Sequence, residues 1–270
     1  MYSIIKSGMA SAMHELSVIS NNVSNANSNG FKKSLASFAD FAGGLFPDSI
    51  QSSANGLGSR IEDTRISDAQ GAVLSTENKT DMALIGNGFF ALQNLQDNSV
   101  SFTRNGAFGL DEQGFLTTAD NHRVLGTPVF EDDFGQTPDN IDALLPIQIP
   151  AVRDELVMSE LKIAADGRIS ARYGEQEPVA ISSLTLGIFS NPVGLKELGN
   201  ARFSATERSG LLKLGAPMES GFADLQIGGL EKSNVNITDE LTAMIKAQQQ
   251  FNGSARLMQA NSDMVEKLTR

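Results

Sequence analysis

His14 and His122 are the whole imidazole supply of this 270-residue chain, and cysteine is absent. A histidine metal pair or a Ser-His-Asp triad would have to recruit one of them. His14 stands beside Glu15 in a helical pattern and His122 in a turn between Asn121 and Arg123, settings that suit solvated or locally bonded rings. Missing cysteine removes disulfides, thiolate metal sites, iron–sulfur clusters and thiol nucleophiles together. Gly86-Asn87-Gly88-Phe89-Phe90 has the opening spacing of a dinucleotide loop but lacks the third glycine and the following amphipathic helix. A tight turn that lets Phe89 and Phe90 pack is the better reading. Glu131-Asp132-Asp133 reads as a solvated charge run on a surface excursion, 131–155, which also carries three prolines. No G-x-S-x-G, H-E-x-x-H or G-K-[ST] pattern occurs. The expectation is a protein without catalytic, cofactor-binding or metal-binding residues, and a carboxylate-based hydrolase has no particular support.

Composition narrows the partners. With 32 acidic against 21 basic residues the formal charge is −11, which disfavours a phosphate-seeking surface and hence nucleic acid. No apolar run of about 18 residues is present, so no helical membrane span is expected. The opening residues lack the hydrophobic core of a secretory signal. If the chain leaves the cytoplasm, its N-terminus is expected to stay uncleaved.

The chain reads as helix, long β-rich middle, helix. Tyr2, Ile5, Met9, Ala12, Leu16, Ile19 and Val23 repeat at spacings of 3 and 4, which predicts an amphipathic helix of about 22 residues, roughly 33 Å long. Asn25-Ala26-Asn27-Ser28-Asn29-Gly30 ends it, because Asn and Gly tolerate left-handed backbone. Ile237, Leu241, Met244, Gln248, Phe251, Ala255, Met258, Ser262, Val265 and Thr269 follow the same rhythm at the other end, with Asn236 or Thr238 as the cap. Between them the period falls to 2 and turns recur. Hairpins are predicted across Asn105-Gly106 and across Asp166-Gly167, with further strands at 82–92, 122–130, 179–189, 201–206 and 222–227. The fold class expected is α+β: a terminal coiled-coil domain (1–30 with 235–270), an extended connector (31–70) and an all-β sandwich- or barrel-like domain (71–234).

The first helix carries only Lys6 and Glu15 as charges, and its face away from the apolar seam is Ser, Ala and Asn. A solvated face usually carries Lys and Glu, whereas small residues permit close approach by other helices. An isolated helix of this length is marginal. The two ends are therefore expected to pair, and copies of the chain to cover the remaining face; head-to-tail packing that does not close makes a filament. On these residues alone a two-helix cap on a β domain, or a secreted monomeric β-rich binding module, stays open.

Asn21-Asn22-Val23-Ser24-Asn25-Ala26-Asn27-Ser28-Asn29-Gly30-Phe31-Lys32-Lys33 resembles the N-terminal motif of bacterial flagellar rod and hook axial proteins. Four stretches agree with it in the right order: 81–91 with Gly86, Gly88, Phe89 and Phe90; 102–125; 228–238 with Ser233, Asn234, Val235 and Asn236; and the terminal helix with Ala247-Gln248-Gln249-Gln250-Phe251. Asn191 to Leu195 and Gly199 to Phe203 are similar to rod proteins, as is the length, although a hook subunit is an alternative. Phe46 to Arg60 resembles a shortened form of the distal rod's connector. The resemblance implies a subunit of the flagellar basal-body rod, exported unfolded by the type III pathway without signal cleavage, and built into a hollow, torque-transmitting helical tube across the periplasm. It implies as partners copies of itself, other rod and hook axial proteins, ring or bushing proteins and the export apparatus. On that reading Ile5, Met9, Leu16, Ile19 and Val23 pack against Leu241, Met244, Phe251, Met258 and Val265.

Overall fold

The computed structural model describes residues 2–42, 56–129, 138, 140–153 and 155–269. The acidic run 131–133 and most of the stretch from Phe46 to Arg60 lie outside the described residues. The fold is α+β, in two units: Met1–Ala26, Lys33–Ser67 and Val235–Arg270 form one, Asn27–Lys32 and Asp68–Asn234 the other.

The first unit holds helix α1, Tyr2–Ser24, and helix α2, Ile237–Thr269. The helices pack together. Asn22 bonds to Glu240, and a Cβ built at Gly8 would lie 3.9 Å from Ser254 Oγ. From 8 to 22 and from 240 to 254 are equal steps in opposite directions, so the pairing is antiparallel over about 21 Å. Small residues stand along it, with Ala12 and Ala247 fully covered. Asn25 ends α1, its amide nitrogen donating to the Asn21 carbonyl at 3.0 Å. Asn236 caps α2, its side-chain oxygen accepting from Thr238 N at 3.0 Å, and Asp239 and Glu240 occupy the positive end of the helix dipole.

The stretch 31–70, expected to be an extended connector, is in its described part mostly an antiparallel ribbon. Strand β1, Ser34–Ala42, pairs with β2, Gly56–Ile66. The register shifts between Ser37 and Phe38 and again between Asp40 and Ala42, which is why no clean period of 2 survives in the sequence. Both strands pack on α1. Ser11 and Ser59 share a hydroxyl hydrogen bond at 2.9 Å, and a Cβ at Gly58 would fall 2.2 Å from Ser7 Oγ. Part of the small-residue face of α1 is thus covered by the chain's own ribbon.

The second unit is built on one large antiparallel sheet. Its main path runs through Val152–Arg153, Leu156–Ile163, Arg168–Tyr173, Val179–Leu184, His122–Pro128, Phe89–Asn94, Val100–Thr103, Arg202–Ser204 and Lys196–Gly199. Period 2 is plain in Arg168–Tyr173, where Ile169, Ala171 and Tyr173 are buried and Arg168 and Arg172 exposed. Phe89–Asn94 sits between neighbours on both edges, and its first four residues are all buried. Met82, Leu84, Phe90, Leu92, Leu116 and Leu184 lie at the core. The hairpin across Asp166-Gly167 forms, pairing Leu156–Ile163 with Arg168–Tyr173. The one across Asn105-Gly106 does not: Val100–Thr103 takes Phe89–Asn94 and Arg202–Ser204 as its neighbours, and Phe108–Leu110 pairs onward with Leu116–Thr118. Among the described residues no helix is long and apolar enough to cross a membrane, and no cluster of His, Cys, Asp and Glu has metal-binding geometry.

Candidate assembly surface and its buried anchors

On α1, Ile19 is buried and Ile5, Met9, Leu16 and Val23 are half-buried, whereas Ser3, Lys6, Ala10, Met13, Ser17, Ser20 and Ser24 form an exposed stripe at helical spacing. On α2 the covered stripe is Glu240, Met244, Ala247, Phe251, Ser254, Met258 and Asn261, in a 3–4 rhythm. Met244, Phe251 and Met258 from the expected seam stand on it. Leu241 does not; Val265 continues the rhythm but is exposed, past the stretch that α1 covers, and Leu241, Ile237, Ile245, Leu257, Met264 and Leu268 are exposed as well, the last at 80%. The face turns because Glu240, a carboxylate that a hydrophobic pattern ignores, points inward. A helix with one covered stripe and a second apolar set left bare is the form of a surface awaiting a partner.

Two buried polar clusters anchor the motif residues, one in each unit. In the first unit Asn22, 1% exposed, donates from Nδ2 to Ser34 O at 2.8 Å and to Glu240 Oε2 at 3.0 Å, and its Oδ1 accepts from Ser34 N at 2.9 Å. Lys33 pairs with the other Glu240 oxygen. One asparagine thus ties the end of α1 to the start of β1 and the first turn of α2. Asn21 lies exposed, its side-chain oxygen accepting from Asn25 at 2.7 Å.

In the second unit Glu231, 1% exposed, receives Lys32 Nζ on Oε1 at 2.7 Å and Arg104 Nη1 on Oε2 at 3.2 Å; the Gly71 N–H donates to Oε1 at 2.9 Å. Its own carbonyl accepts from Gly30 N at 2.7 Å. Lys32 also reaches Ala69 O at 2.9 Å and Arg104 reaches Gly86 O at 2.7 Å. Burial pushes both cations below their ordinary pKa values, against the pull of Glu231. Arg104 further stands 5.2 Å from the Phe89 ring centre. Phe89 meets Phe189 and Phe203 edge-on, and Phe90 meets Phe108 in the same way. Gly88 lies against Leu186, and Asn27 is exposed. Phe31 is buried in this unit, and Asn234 Nδ2 donates to Ala69 O at 2.7 Å. Ser233 and Val235 are half-buried beside it in sequence.

No role as a buried anchor was expected from the sequence for Lys32, Lys33, Arg104, Glu231 or Glu240. The available signal was their place inside the motif stretches: two adjacent lysines after Gly30-Phe31, and one acid in Gly228-Gly229-Leu230-Glu231.

Among the described residues, terminal helices that leave apolar side chains exposed and motif residues used as structural anchors are what a flagellar axial subunit would need. The family models agree: Flagella basal body rod protein matches residues 6–32, Flagellar hook protein FlgE/F/G D1 domain residues 83–171, and Flagellar basal body rod FlgEFG protein C-terminal residues 226–270. The chain is 31% identical to the flagellar basal-body rod protein FlgG of Buchnera aphidicola (subspecies Baizongia pistaciae) over 281 positions, covering 98% of this chain and 97% of that one. It is 29% identical to FlgG of Borreliella burgdorferi, with 96% and 93% covered, and 30% identical to FlgG of Bacillus subtilis, with 97% and 95% covered. Likeness to the flagellar hook protein FlgE of Helicobacter mustelae is 34% but spans 53% of this chain and 35% of that protein. The chain belongs to the flagellar basal-body rod protein family and is a structural subunit of the rod.

Proposed function

We propose that the subunit assembles with copies of itself and with other rod and hook axial proteins into a hollow helical tube that carries torque from motor to hook. The paired helices supply the tube wall as a coiled-coil-like layer. The single observation carrying this reading is the set of exposed apolar side chains on α2: Leu241, Ile245, Leu257, Met264 and Leu268. Neighbouring subunits that cover it would gain on the order of 1 kcal/mol per side chain beyond what folding already buries. The Ser and Ala stripe of α1 lets further helices approach closely. Such a subunit reaches the periplasm-spanning rod through the flagellar type III pathway with its N-terminus intact, and meets ring or bushing proteins there. No cofactor or catalysis enters this role.

The test is Ile245→Glu combined with Leu241→Glu in the source bacterium. Both side chains are exposed, so secretion and subunit folding should persist while rods stop short in electron micrographs of basal bodies and motility is lost. Complete rods and wild-type swimming in that strain would overturn the reading.

A further inference from the structure

We infer that the six residues Asn27–Lys32 are the closing piece of the β unit, so that this unit completes its fold only when that segment is seated. The segment belongs to the β unit although 35 residues of chain, 33–67, separate it from the rest. It is gripped on three sides. Gly30 N donates to Glu231 O at 2.7 Å, Lys32 Nζ is shared by Glu231 and Ala69 O, and Phe31 is buried at 2% exposure. Gly30, at φ +69°, sits so tightly on the Arg104–Asn105 backbone that a Cβ would lie 2.3 Å from Asn105 N.

The empty slot cannot close on itself. Without Lys32, Glu231 keeps one of its two cation partners, Arg104, and the Gly30 amide that satisfied its carbonyl is gone. Glu231 is also the end of Gly229–Glu231, which pairs with Val73–Ser75, and Arg104 directly follows Val100–Thr103, a strand paired on both edges. Loss of the segment therefore loosens both ends of the unit's framework. A chain whose N-terminal segment is withheld, whether by a carrier or because it is held extended, keeps its β unit from completing. The device couples the state of residues 27–32 to a fold that resumes only at Asp68, 35 residues of chain away.

Native-state hydrogen exchange on the full-length wild-type monomer tests this. The amides of Gly30, Gly71 and Lys232 should exchange within about 10-fold of the slowest amides in Phe89–Asn94 and Val100–Thr103, as members of one cooperative unit. The overturning result is exchange at Gly30 and Lys232 about 100-fold or more faster than those strands, which would make the segment a docked tail. In the full chain Gly30→Ala should speed exchange of the same core strands roughly 10- to 100-fold. Acceleration confined to residues that touch the segment would refute the coupling. The wild-type comparison decides the question even if the variant fails to fold.

Discussion

Glu231→Ala is the most informative single change. It removes the carboxylate that compensates Lys32 and Arg104, which are 2% and 4% exposed, and it strips the Gly71 N–H of its acceptor. Removing one partner of a buried ion pair costs about 3–5 kcal/mol and an orphaned buried donor about 1–3 kcal/mol. These losses overlap, because one relaxation admits water to all three groups, so about 4–6 kcal/mol is expected. For a unit of roughly 170 residues that lowers the thermal midpoint by about 10–20 °C. Calorimetry or urea unfolding of the monomer measures it. The defect has a pH signature. In the folded chain Lys32 is held below its ordinary 10.5 by burial, opposed chiefly by Glu231. Removing Glu231 lowers it further, so between the folded pKa and 10.5 the unfolded state binds more protons and stability rises with pH. The Glu231→Ala deficit should therefore shrink as the pH rises toward 10.5. A companion chain with Lys32→Met, Arg104→Met and Glu231→Leu should recover part of the loss, since a packed apolar trio replaces the charges while the Gly71 N–H stays without its acceptor. A loss below about 1 kcal/mol for Glu231→Ala, or a triple variant no better than the single, would refute the view that uncompensated burial sets the cost.

Other expectations are more local. Asn22→Ala deletes three buried hydrogen bonds joining α1, β1 and α2, and should cost about 2–4 kcal/mol, read as faster exchange of α1 amides with the β unit unaffected. Asp120 accepts from Thr118 Oγ1 at 2.6 Å and forms an ion pair with Arg202, whose Nε stands 3.0 Å from Oδ2. Burial pushes its carboxyl up, but the Thr118 hydroxyl and the Arg202 guanidinium outweigh that and hold it below the usual 3.8. Its contribution is thus full above the unfolded pKa and lost as pH falls through the folded one, so the stability gap between wild type and Asp120→Asn should close in acid unfolding series below pH 4. Tyr173→Phe removes the hydroxyl that donates to Pro150 O at 2.8 Å, and should lower urea stability by about 0.5–1.5 kcal/mol.

What could be read from the sequence depended on how local its cause was. Both helices were legible because their apolar spacing is a property of neighbours three and four apart, and Arg168–Tyr173 because alternate residues face opposite sides of a sheet. The Asn105-Gly106 turn signal was outweighed by tertiary pairing, since Val100–Thr103 already has a strand on each edge. The ribbon of β1 and β2 hid behind its bulges. The anchors were least legible, for Glu231 meets Lys32 and Arg104 across 199 and 127 positions, and no window of sequence contains such a pair.

That difference bears on what the motif residues are for. Asn22 reads like a helix-stop residue and Gly30 like a turn glycine, and each does serve locally. Yet Asn22 is buried because it must satisfy Ser34 and Glu240 at once, and Gly30 lacks a side chain because Asn105 occupies the place one would fill. Both requirements come from segments that meet only in the folded chain. The same holds on α2, where the seam turns toward Glu240 and leaves Leu241 outside. Had Leu241 been the inward residue, Glu240 would lie in solvent, Asn22 and Lys33 would lose their shared acceptor, and the helix would present less bare apolar surface to neighbours. One buried carboxylate therefore fixes the rotation of α2, and that rotation decides which residues the subunit offers for assembly.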